Sequence, residues 1–303
     1  MGEIFYWVLN MSITASLTGM IVFFIGRIRK IPKRIIRVLW IIPLIRMLIP
    51  FGICAKFSLM TILSGFAAIA VKTDLYPTGM SQMNHIMAAD SYYPVTYIAG
   101  WLDSIFSIAS FVWLGITLIL MITLTVVYCK TMSELSDASH LKENIYLSHH
   151  TETPAVYGII KPKIIIPAYF PDTDNEYIIM HEMIHIRRLD NLWRIIAFLT
   201  VCIHWFNPLS WLFLRTFLAD TEMACDEIVI AGSDKEDKKK YAAALVDCAL
   251  SGSTNAFASA FGGARIRTRI KHILDYRKIS AFSAASLIIF MLFVTYALLT
   301  NAG

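Results

Sequence analysis

The chain has 303 residues, of which 57% are hydrophobic and 16% charged, with a net charge of +5 and a mean hydropathy of +0.60. Soluble domains are about 45–50% apolar, so this composition excludes an ordinary soluble enzyme and a disordered chain, and it implies membrane lipid as a partner. The five cysteines have no C-x-x-C spacing, which argues against a disulfide framework and for a reducing, cytosolic setting for the polar part.

Ile4–Ile25 is a near-continuous apolar run, long enough to span about 30 Å of hydrocarbon. Arg27, Arg29, Lys30, Lys33, Arg34 and Arg37 follow it with no acidic residue between them. By the positive-inside rule this loop is cytoplasmic and the N-terminus outside. The basic cluster follows the run, and no small-residue cleavage site is present, so a signal peptide is not expected. Val38–Cys54 is the second expected span. Arg46 inside it either faces a partner or snorkels to an interface. Phe57–Val71 lies on the outer surface or extends that span. Lys72–Tyr97 reads as an outside loop, and its Met80, Met83, His85 and Met87 read as membrane packing ahead of a soft-metal site. Trp101–Val127 is the third span, with Trp101 and Tyr128 as interfacial anchors.

From Cys129 the composition becomes mixed and globular. Asn144–Leu147 and Ala155–Pro167 read as short strands, and the prolines of the second mark it as an edge or bulged strand. An edge beside a cleft can take an extended substrate by strand addition; the alternative is a plain hairpin packed on the domain. Pro171-Asp172-Thr173-Asp174 supplies helix-start chemistry. The helix that follows carries H-E-x-x-H at His181, Glu182 and His185. Positions four apart share a helix face, so the two imidazoles can bind one Zn²⁺. Glu182 beside them can take a proton from a zinc-activated water.

A catalytic zinc needs a third protein ligand and an open position. The metzincin pattern fails, because Arg188 and Asn191 stand where its glycine and third histidine would be. Glu222-Met-Ala-Cys-Asp226 is the better source. Glu222 is the candidate third ligand, and Asp226, one turn on, is expected to accept the free N–H of His181. Cys225 is a competing soft ligand, read as a small packed residue on another face. Tyr157 and His204 are the candidates for stabilising an oxyanion, although His204 also reads as a packed histidine. Leu192–Phe206 and Leu209–Leu218 are two apolar helices broken at Asn207-Pro208. Tyr241–Leu250 is a further helix, Ser251–Gly263 reads as a linker, and Ile279–Leu299 is the fourth span, which puts the C-terminus outside.

Four segments resemble one family: Pro154–Pro167, His181–Asp190, W-F-N-P-L-S-W at Trp205–Trp211, and E-M-A-C-D-E at Glu222–Glu227. In order and spacing they are similar to the antirepressor membrane zinc metallopeptidases, the protease portion of BlaR/MecR-type sensor-transducers. The resemblance implies His181, His185 and Glu222 as ligands of one zinc per chain and Glu182 as catalytic base. It implies a bacterial-type cytoplasmic membrane, and as substrate either the protein itself or a cytosolic transcriptional repressor. Ser251–Gly263 resembles in placement the segment where such proteins cut themselves, which nominates Phe257, Ser259 and Phe261. No penicillin-binding domain like that of the β-lactam sensors is expected after the fourth span, so β-lactam recognition is not carried over. A separate signal-sensing partner and a homodimer stay open, and direct nucleic acid binding is not expected.

The expected fold is a mainly α membrane protein. It has two spans joined by a basic loop (1–57), an outside segment (58–97), a third span (98–128), a gluzincin-like α+β zinc domain (129–278) and a fourth span (279–303). The alternatives are a housekeeping membrane zinc protease of the prenyl-protease or HtpX type, and a non-catalytic signalling scaffold held together by zinc.

Overall fold

A computed structural model of the chain describes residues 2–28, 30–49, 54–55, 101–151, 153–168, 175–251, 256–276, 281–299 and 301–302. Phe57–Val71, the loop Lys72–Tyr97 and the helix-start residues Pro171–Asp174 lie outside them. The described residues form a mostly helical protein with a small sheet.

Helix α1 (Gly2–Gly26) and helix α4 (Trp101–Glu134) contain the two stretches, Ile4–Gly26 and Ser107–Glu134, that among the described residues are long and apolar enough to cross a membrane. Their surroundings differ. α1 is half-buried and carries small polar side chains inward. Thr14, Ser16 and Thr18 satisfy their hydroxyls on backbone carbonyls three or four residues back, the usual solution for a polar side chain in an apolar setting. Gly19 lets the Phe213 ring come so close that a Cβ would sit 2.2 Å from it. α4 instead turns Ile108, Phe111, Ile119 and Ile122 outward.

The expected second span is not one straight helix. Residues Lys33–Leu39 form α2 and Ile41–Leu48 form α3, with the break at Trp40. Pro43 has no N–H to give to the carbonyl one turn back, and it sits in the first turn of α3, where that loss costs nothing. α3 stops at Leu48 because Pro50 follows, and Ile49 is already extended.

The sheet is four-stranded in the order β2–β3–β5–β4, built from β2 (Ser139–Lys142), β3 (Ile145–Ser148), β4 (Ala155–Tyr157) and β5 (Lys163–Pro167). A second pairing joins β1 (Cys54–Ala55) to β6 (Asn301–Ala302) in parallel. The single edge strand expected over Ala155–Pro167 is therefore a hairpin. Gly158 (φ +90°) makes the turn, and Pro162 and Pro167 fall before and at the end of β5, so β5 runs between two neighbours. β4 is one of the two edges, and Asn191 already donates to the Val156 carbonyl in it and the Gly158 carbonyl just after it, at 2.9 and 3.2 Å.

Six helices complete the described chain. They are α5 (Asn175–Arg187), α6 (Asp190–Ile203), α7 (Pro208–Val229), α8 (Lys235–Ser251), α9 (Ala256–Asp275) and α10 (Ala281–Leu299). Asn207 caps α7 by accepting the Leu209 N–H at 2.9 Å, with Pro208 in the first position. The linker expected over Ser251–Gly263 is helical from Ala256 onward. Its alanines are the strongest helix formers, and the small, uncharged composition hid that preference. α5 packs Ile179, Met183 and Ile186 on the sheet and Ile178 and Ile184 into the core of α7, α8 and α9.

Candidate metal centre

Those two apolar contacts fix the rotation of α5 and leave His181, Glu182 and His185 facing α7. His181 Nε2 and His185 Nε2 lie 3.1 Å apart. Glu222 of α7 brings Oε2 to 3.3 Å from His181 Nε2 and Oε1 to 3.6 Å from His185 Nε2. Both histidines are 3% exposed and Glu182 is 9% exposed. The sequence placed these four residues together, and the structure does bring them into one cluster.

Each histidine is held from behind. His185 Nδ1–H donates to Asp190 Oδ2 at 2.7 Å. Leu189, with φ +54°, turns the chain after α5 so that Asp190 reaches back to that ring. His181 Nδ1 is 2.9 Å from the Tyr241 hydroxyl, which donates to Asp226 Oδ1 at 2.6 Å. Asp226 itself is 3.4 Å from His181 Nδ1, so the expected contact runs mainly through a tyrosine that the sequence reading missed. Arg269 of α9 grips Asp226 with Nε and Nη2 at 2.8 and 2.7 Å and lies 3.4 Å from Glu222. Arg194 pairs with the other Glu222 oxygen. Cys225 is fully buried. Its Sγ is 3.4 Å from His185 Nδ1 and 3.5 Å from Asp190 Oδ2, behind His185 and away from Glu222.

The electrostatics follow from this geometry. Burial pushes the Glu182 carboxyl up against the pull of His181 and His185. Burial also opposes charge on Glu222, but its bonds to His181 and His185 outweigh it and hold the carboxyl well below the usual range. His185 is likewise disfavoured as a cation by burial, yet Asp190, Cys225 and Glu222 raise it well above its usual value. Burial and the Asp226 charge push the Tyr241 hydroxyl well up, so it stays a neutral donor.

A metal ion fits this donor set. Both Nδ1 atoms are engaged elsewhere, so two Nε2 lone pairs and a carboxylate point at one spot. His181, His185 and Glu222 offer ligand atoms all within 4.8 Å of one another, and so does a second group, His185, Asp190 and Cys225. In that second group the His185 Nδ1 is already donating to Asp190. Among the remaining nominees, Tyr157 is on β4, and its hydroxyl is raised by burial and by the Glu182 charge. His204 lies apart from it, fully buried, with Nε2 on the Met47 carbonyl at 2.8 Å. Phe257, Ser259 and Phe261 belong to helix α9.

An H-E-x-x-H helix facing a carboxylate from the next long helix defines the class as a metallopeptidase-type centre. The chain belongs to the BlaR1 peptidase M56 family, whose match covers residues 6–273. It is 27% identical over 146 residues to the methicillin resistance mecR1 protein of Staphylococcus aureus, covering 45% of this chain and 25% of that one. It is 30% identical over 105 residues to the regulatory protein BlaR1 of Bacillus licheniformis, covering 34% and 18%. With BlaR1 of Staphylococcus aureus it shares 27% identity over 242 residues, covering 70% and 40%. The chain thus spans two-fifths or less of the length of these relatives.

Proposed function

We propose that the protein is a membrane-embedded zinc endopeptidase that relays an external signal by hydrolysing itself or a cytosolic repressor-type protein. The observation that carries this reading is the convergence of His181, His185 and Glu222 with the buried Glu182 alongside. In the proposed topology α1, α2 with α3, α4 and α10 are four spans and residues 129–278 form the cytoplasmic domain. The pairing of Cys54–Ala55 with Asn301–Ala302 supports it, because it sets the ends of the second and fourth spans side by side.

His181, His185 and Glu222 would hold the ion, with Asp226 and Tyr241 behind His181. A zinc ion bound there supplies Lewis acidity, acidifying water and polarising a carbonyl. Glu182 then takes the proton of the attacking water and returns it to the leaving amine. Tyr157, whose hydroxyl feels the Glu182 charge, is the candidate donor to the developing oxyanion. The Arg194 and Arg269 pairs fix the Glu222 carboxylate and keep it ionised. Repressor-type substrates are suggested by the regulatory and resistance names of the relatives.

The test compares wild type with Glu182→Ala in membranes, scoring zinc content and fragments of the protein and of a co-expressed repressor. Equal zinc with fragments in wild type alone supports the protease. Equal zinc with equal fragment patterns favours the non-catalytic scaffold. Fragments of unrelated membrane proteins without a repressor cut would favour the housekeeping protease.

A further inference from the structure

The basic run after α1 reads in sequence as a topology marker, which would leave its side chains at lipid headgroups or in water. Of those described, Arg37 is the one that is buried. Arg37, on α2, is 7% exposed. Its Nη2 donates to Asp190 Oδ1 and to the Arg188 carbonyl at 3.1 Å. Its Nε is buried with no hydrogen-bond partner among the described residues. Burying a guanidinium with an unpaired donor is costly, and a buried ion pair is weak evidence of a stability role. Position is the better explanation. The acceptor, Asp190, is fully buried, and its other oxygen holds His185 Nδ1 at 2.7 Å.

α2 is also anchored so that Arg37 has a fixed reach. Glu227 of α7 accepts the Lys33 and Arg34 backbone N–H groups at 2.7 and 3.1 Å, capping the N-terminus of α2 from outside its own helix. Asp220, also on α7, accepts from Lys33 Nζ and the Trp40 indole, both at 2.8 Å. α7 is the helix that carries Glu222 and Asp226. The segment directly after α1 is therefore fastened to the helix of the third candidate ligand and reaches the partner of the second.

We propose that Arg37 is a positioning residue of the metal centre. Acting through Asp190, it fixes the His185 ring and makes the loop after α1 part of the site. A displacement of the inner end of α1 is then transmitted to His185 by one side chain. This rests on the reading of His185 as a metal ligand.

The test uses the full chain in detergent, with Zn²⁺ affinity from chelator competition, the visible spectrum of the Co²⁺ form, and thermal stability. Partners that orient a ligand typically change metal affinity about 10–100-fold. Arg37→Gln is expected to weaken Zn²⁺ by about tenfold, the low end of that range, and to shift the Co²⁺ bands. Arg37→Lys is expected to recover part of both, since it restores the charge without the planar fork. The double variant Arg37→Gln/Asp190→Asn is expected to bind no more weakly than Asp190→Asn alone, because the two act in series. Wild-type affinity and spectrum in Arg37→Gln with only a lower melting temperature would overturn the proposal. If Arg37→Gln does not fold, the double variant decides, and wild-type affinity there overturns it. His185→Ala is the control. If that variant keeps wild-type affinity, the metal reading itself fails; if it loses the metal while the Arg37 variants do not, only the coupling fails.

Discussion

Tyr241→Phe removes one oxygen and almost no volume. That oxygen accepts from His181 Nδ1 at 2.9 Å and donates to Asp226 at 2.6 Å. Without it the imidazole keeps only the 3.4 Å approach of Asp226, longer than a good hydrogen bond. Partners that orient a metal-ligating histidine typically change metal affinity about 10–100-fold, and each tenfold is about 1.4 kcal/mol. Asp226 retains Arg269 through two donors, so the carboxylate stays in place and the loss falls on His181. Zn²⁺ affinity is expected to drop about 10–100-fold, measured by chelator competition on the full chain, with the helical signal unchanged. An affinity within twofold of wild type would refute the reasoning, because it would mean that the His181 ring is oriented by its packing alone.

Other expectations follow from the same geometry. Glu222→Ala is expected to lose stoichiometric zinc, and Glu182→Gln to keep zinc while losing cleavage, both read by metal analysis beside fragment mapping. Because Asp190 raises His185, a proton competes with the metal at higher pH than for an ordinary imidazole. Zinc affinity should fall about tenfold per pH unit below the His185 pKa, and Asp190→Asn should move that fall to lower pH; a pH-independent affinity would contradict this. Gly19→Ala puts a Cβ 2.2 Å from the Phe213 ring and is expected to cost about 1–3 kcal/mol of stability. Gly115→Ala, with nothing within 4 Å, is expected to leave the melting temperature unchanged or raised.

The parts of the site that were legible in the sequence are those set by spacing within one helix. His181, Glu182 and His185 share a turn of α5, and Glu222 and Asp226 share a turn of α7. The parts that were not legible come from elsewhere in the chain. Arg37 looked like a charge that sets topology, and only packing shows that it and Arg269 are turned inward. Tyr241 opens an apolar stretch of α8 and carried no signal as a polar partner. Asp190 left one, an acidic residue just past the end of the H-E-x-x-H helix, but its use depends on the left-handed turn at Leu189. In the fold, hydropathy located α1, α4 and α10 but not the break at Trp40, which follows from Pro43. The prolines suggested one edge strand, with a plain hairpin as the alternative, and Gly158 turns the chain into that hairpin. The small residues of 256–263 looked flexible because the sequence reading weighed their size above the helix propensity of alanine.

X-ray absorption at the zinc edge of the purified full chain tests the centre most directly. Two imidazole nitrogens and a carboxylate oxygen at about 2.0–2.2 Å, with no sulfur scatterer, is the result expected from His181, His185 and Glu222. A sulfur at about 2.3 Å would put the metal at Cys225 instead, behind His185 and away from Glu182, and would contradict the assignment.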